Sequence, residues 1–119
     1  MGFTRYFEGN VTITPELVQD VNDIINTSNI DIAGWDGTGK PVISTEEIRF
    51  NGSGDESCET FVITNGNNGG FCKTAREPYD LVVATVLRRI EETNDDFHAD
   101  SDGGHDENVV DALYRHLFV

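Results

Sequence analysis

Lysine is nearly missing from this sequence. Lys40 and Lys73 are the only two in 119 residues, and six arginines bring the basic total to 8 against 22 acidic residues, a net charge of −14. Such a surface repels phosphate, which argues against unaided nucleic-acid binding and against docking on anionic lipid. Cysteine is equally scarce. Cys58 and Cys72 lie 14 positions apart without a CxxC spacing, so neither a disulfide framework nor a zinc site is indicated, and both are expected to stay free and half-buried. No apolar run approaches bilayer length, and residues 1–10 lack the apolar stretch of a signal peptide. The expectation is therefore a cytoplasmic protein of the host cell interior with no membrane contact. With three prolines and no extended linker, residues 1–119 read as one domain. A hydrophobic content of 37%, including 9% aromatics, is too rich for wholesale disorder.

What is present is a set of alternating and helical patterns. Residues 3–14 are aromatic and β-branched, with Val11 and Ile13 on one face, and read as a strand. Thr14-Pro15-Glu16 supplies an N-cap, a first-turn proline and a first-turn acid, and Leu17, Val18, Val21, Ile24 and Ile25 then form a helical stripe ending near residues 26–29. Ile30 and Ile32, Val42 and Ile43, residues 46–50 and residues 60–64 read as strands separated by turns. The glycine- and asparagine-rich residues 65–70 read as a closing turn. A second helix follows Pro78, with Asp80 in its first turn and Arg88 and Arg89 in its C-terminal half, the order favoured by the helix dipole. Residues 97–99 are a short candidate strand and residues 100–107 a hydrophilic loop. A C-terminal helix then turns Val109, Val110, Leu113, Leu117 and Phe118 inward.

This order gives an α+β fold: a small antiparallel sheet with two main helices on one face and a short C-terminal helix. A ferredoxin-like arrangement is the specific expectation. The densest chemical constellation is Phe71-Cys72-Lys73-Thr74-Ala75-Arg76-Glu77-Pro78-Tyr79-Asp80. It sets Lys73, Thr74 and Arg76 just before a helix N-terminus, where free N–H groups favour an anion, with Tyr79 and Asp80 placed to orient it. Alternatively, Lys73 and Arg76 pair with Glu59, Glu77 or Asp80 and tie the loop to the sheet. Cys72 beside Lys73 and Arg76 could be an activated thiolate, or a small buried hydrophobe.

Phe50-Asn51-Gly52, Glu59-Thr60-Phe61, the Phe71 to Arg76 run, Pro78-Tyr79-Asp80, Val83 and Leu87 together resemble a family of small proteins of phages, prophages and archaeal viruses. The likeness covers about the middle third of the chain. It implies the context of an accessory protein of a virus or mobile element, and carries no activity with it. Relative to that family the stretches between Asn51 and Glu59 and between Thr64 and Phe71 are short. The scarcity of lysine beside abundant Asp and Thr is also similar in composition to proteins of salt-accumulating archaea and their viruses, which would make the acidity a solvation device.

A second constellation runs from Asp95 to Glu107. Asp96, Asp100 and Asp102 around Gly103-Gly104 could offer oxygen ligands to Ca²⁺ or Mg²⁺, and His98 with His105 could hold a transition metal. The spacing fits no twelve-residue calcium loop, so an exposed acidic loop is preferred, with no metal and no cofactor. Trp35, the single tryptophan, is expected in the core, and would anchor a protein interface if exposed beside Tyr6 and Phe7. Two functions remain. One is a small acidic, non-enzymatic accessory protein that binds another protein, such as a host nucleic-acid-binding component whose basic groove it competes for. The other is a binder of, or enzyme on, an anionic small ligand at Lys73 and Arg76. A second copy of the chain at an exposed sheet edge is a further partner.

Overall fold

A computed structural model describes residues 3–103 and 107–119. The chain begins with β1 (Thr4–Val11) and α1 (Pro15–Ser28). Four further strands and a fifth follow: β2 (Ile32–Ala33), β3 (Val42–Ile43), β4 (Glu47–Gly52), β5 (Phe61–Thr64) and β6 (Gly66–Lys73). The second main helix, α2 (Asp80–Thr93), leads to β7 (His98–Ser101) and then to α3 (Glu107–Phe118). The fold is α+β.

The strands divide into two antiparallel sheets. One has the order β6-β1-β7, and the other is built on β4, which pairs with β2, β3 and β5. Because β1 is antiparallel to both neighbours, β6 and β7 run in the same direction and α2 crosses between them. This is a split βαβ unit, one half of a ferredoxin-like arrangement. The remaining strands do not extend that sheet but fold back on β4 as a separate one, so the expected single sheet is two.

Local chemistry explains the helices. Thr14 Oγ1 accepts the Leu17 N–H at 3.1 Å, Pro15 occupies the first turn, and Asn29 closes α1 in the left-handed conformation with φ 59°. Leu17, Val21 and Ile24 face the core, joined there by Phe7, Ile48, Phe50, Phe61, Ile63, Val83, Val86, Ile90 and Phe97. In that core Phe7 meets Phe61 edge-on at 5.6 Å and stacks with Phe97 at 6.2 Å. Helix α2 packs on α1, α3, β1 and β7, and so covers the inner face of the β1-β7 part of the β6-β1-β7 sheet, while β6 meets β5.

Arginines clamp the three helices together. Arg89 Nε donates to Asp20 of α1 at 2.8 Å and its NH1 to the Tyr114 hydroxyl of α3 at 3.2 Å, with the guanidinium 4.2 Å above the Phe118 ring. Arg88 reaches Asp111 at 3.0 Å and lies over Tyr114. On α3 only Val110 and Tyr114 are fully buried. Val109, expected inward, is exposed because Val110 takes the facing position in the first turn.

Two further expectations are revised. Residues 65–70 are not a turn: from Gly66 onward they are the first part of β6, paired with β1 in an eight-residue register from Val11↔Gly66 to Thr4↔Lys73. The cysteines differ from one another, Cys72 being fully buried and Cys58 exposed.

Candidate functional site

Strand β1 alternates between the two faces of its sheet. Arg5 and Phe7 point inward under α2, whereas Tyr6 and Glu8 point outward. The inward face carries a buried ion pair. Arg5 Nε and NH2 donate to the two carboxylate oxygens of Asp80 at 2.8 and 2.9 Å, with both side chains less than a tenth exposed. Thr74 Oγ1 donates a further bond to Asp80 Oδ1 at 2.7 Å. Such a fork satisfies both carboxylate oxygens and offsets much of the cost of burying the charges.

The five residues of the expected anion site therefore separate. Thr74 and Asp80 are brought together, but around Arg5 inside the fold. Tyr79 is buried, its hydroxyl donating to the Glu59 carbonyl at 2.7 Å and lying 3.4 Å from the Lys73 carbonyl. Burial raises its phenol pKa above the ordinary value. Lys73 and Arg76 stay at the surface, and among the described residues neither pairs with a carboxylate. The Lys73 ammonium lies 5.7 Å from the Phe71 ring and the Arg76 guanidinium 5.0 Å from the Phe3 ring, which Arg5 also approaches at 5.1 Å. The suggested carboxylate partner of Lys73, Glu59, instead accepts the Lys73 backbone N–H at 2.8 Å.

The segment between them is held in an unfavourable backbone conformation. Ala75 and Arg76 have φ of 53° and 59°, and the Glu77 N–H closes the turn on the Thr74 carbonyl at 3.0 Å. Two consecutive left-handed residues with side chains are costly without glycine or asparagine. The turn persists because the Thr74 and Ala75 N–H groups both bond to the Phe3 carbonyl and the Asp80 network fixes its far side. Cys72 is no nucleophile here. Burial pushes its thiol up to about 12, and the sulfur sits 3.4 Å from the Glu59 carbonyl.

The metal candidates are scattered. Asp102 accepts the Thr4 N–H at 3.0 Å and the Tyr6 hydroxyl at 2.9 Å, and Asp100 accepts the N–H of the neighbouring Ser101. His98 stands opposite Glu8 on β1, and Asp96 is exposed. His105 and Gly104 lie outside the described residues. Among the described residues no group of three or more His, Cys, Asp or Glu side chains is placed to hold a metal ion.

The outward face of the β6-β1-β7 sheet carries large side chains that remain half-exposed. Tyr6 and Phe71 are cross-strand neighbours, 45% and 53% exposed, and Asp100 pairs with Tyr6 from the other side. Along the next row Glu8 lies between Gly69 and His98. The turn expected at residues 65–70 leaves Phe71 without a strand partner and so conceals this face. The usable signal was the alternation Gly69, Phe71, Lys73 on one side of the chain against Asn68, Cys72 and Thr74 on the other.

Trp35 is a second exposed aromatic, at 65%, on the far side of the expectation that placed it in the core. Its backbone is pinned, the carbonyl accepting from Asn51 Nδ2 and Thr60 Oγ1, so the ring projects from a fixed turn. No protein-family model, no curated protein and no solved structure matches this chain. No described helix is long and apolar enough to cross a membrane.

Proposed function

We propose that this chain is a small non-enzymatic binding module that engages a protein partner through the outward face of the β6-β1-β7 sheet. The observation that carries this reading is the pair Tyr6 and Phe71, half-exposed and directly opposed on two strands whose other face is buried in the core with Phe7 and Cys72. Large amphipathic aromatics on a rigid backbone lose little conformational entropy on contact and are the residues that anchor interfaces. Tyr6 is held in advance by its bond to Asp102. The accessory role in a virus or mobile element rests on the likeness of the central segment to that family, and a basic host component is the partner that a charge of −14 would draw.

The alternative, an anionic ligand at Lys73 and Arg76, is less well supported, because Thr74, Tyr79 and Asp80 already have their hydrogen-bonding groups committed inside the fold. A photo-crosslinking residue at position 71, irradiated in lysate of cells that carry the protein, tests the proposal. One discrete adduct at position 71, lost when Tyr6→Ser is added and missing from a probe at position 56, is the expected outcome. Identical adducts from positions 71 and 56 would refute it.

A further inference from the structure

Between Tyr6 and His98 the outward sheet face is hollow. Gly69 lies opposite Glu8 and Gly70 opposite Phe7, so the β6 side contributes backbone only, and a trough of about 530 Å³ opens over it. Its sides are Tyr6, Glu8, His98 and Asp100, and Glu91 of α2 closes it at the open edge of β7. The Tyr6 ring is fixed by Asp102, and Glu91 is fixed by accepting the Ala99 N–H at 3.0 Å, while no hydrogen bond or ion pair among the described residues occupies the Glu8 carboxylate.

We infer that this trough receives an arginine side chain of a basic partner protein. A flat glycine floor admits a planar guanidinium, an aromatic wall suits its face, and carboxylates on both sides suit its fork of N–H donors. Charge complementarity selects this occupant: the trough gathers acidic side chains of a chain of net charge −14, and Lys73 on the same face is turned toward Phe71 and is not part of the trough lining. The inference rests on the protein-binding reading and makes it more specific by naming the group recognised.

The test is a titration of ¹⁵N-labelled protein at low salt with acetyl-Gly-Arg-Gly-Arg-Gly amide, alongside the same peptide carrying citrulline or lysine in place of arginine. Backbone shifts should concentrate at Tyr6, Glu8, Gly69, Gly70 and Asp100 with the arginine peptide, fall at least fivefold with lysine and vanish with citrulline. Two variants should abolish them by different routes: Glu8→Gln with Asp100→Asn removes charge, and Gly69→Leu fills the trough. Gly69 is suited to that substitution, since a Cβ there meets nothing within 4 Å and its φ is not in the left-handed region. Shifts spread evenly over the acidic surface, equal shifts with lysine, or unchanged binding by Gly69→Leu would each overturn the inference. If arginine binds here while the crosslink at position 71 fails, the partner-binding reading falls and the arginine site stands. The reverse result removes the arginine site alone.

Discussion

Asp80 fastens the first strand to the second main helix, and its partner could not be read from nearby residues. Lys73 and Arg76 are its sequence neighbours, yet the guanidinium that reaches it belongs to Arg5, 75 positions away. Strand alternation decides the matter: Arg5 shares the inward face with Phe7, so its charge needs a buried acid. Asp80→Ala should cost about 3–5 kcal/mol in urea denaturation, because it leaves Arg5 buried without its partner. A loss under 1 kcal/mol would contradict this. Cys72 provides a pH test. Its thiol, held near 12 in the folded chain, ionises in the unfolded chain at about 8.5, so that its contribution is complete below about pH 8 and is lost progressively as pH rises toward 12. Cys72→Ala should flatten that alkaline decline. In the native protein, iodoacetamide should modify the exposed Cys58 alone, with Cys72 reacting only in denaturant, as read by mass spectrometry.

At the level of elements, the helices were legible and β6 was not. Helix α1 announces itself with a capping threonine, a first-turn proline and a regular apolar stripe, and α2 with an acid at its start and arginines toward its end. Strand β6 begins Gly-Asn-Asn-Gly-Gly, a composition whose intrinsic preference is for turns. Tertiary pairing overrides it, since β1 supplies a complete partner ladder and Asn68 bonds the Thr64 backbone N–H and carbonyl at 3.0 and 2.8 Å. The candidate interface depends on that strand, which is why Tyr6 and Phe71 did not stand out in the sequence as a pair. The Thr74 to Glu77 turn makes a separate prediction. Ala75→Gly should relieve its left-handed strain and raise stability by about 0.5–1 kcal/mol, whereas Ala75→Val should lower it by at least as much, both measured by chemical denaturation.

Across the whole molecule, the excess of acid is not balanced by stray cations. Among the described residues, Arg5, Arg49, Arg88 and Arg89 lie in ion pairs, with Asp80, Glu47, Asp111 and Asp20, and Lys73 and Arg76 cover aromatic rings. The 22 acidic residues against 8 basic ones therefore leave a wide anionic surface. Simple screening of that surface is complete by a few tenths molar salt, where the Debye length is well under about 10 Å. Acidity acting as a solvation device instead predicts a melting temperature that keeps rising toward about 1 M KCl, beyond the range in which screening acts. A plateau at a few tenths molar would contradict the solvation role.

The sheet face itself is tested by the affinity of the crosslinked partner, once purified, for the protein and for the Tyr6→Ser, Phe71→Ser double variant. Both positions are half-exposed and opposite the buried core, so the melting temperature should change by no more than about 2 °C, while loss of two central aromatic anchors weakens binding by about thirtyfold or more. Equal affinity in a double variant of unchanged melting temperature would contradict the account, and would move the interface away from this face.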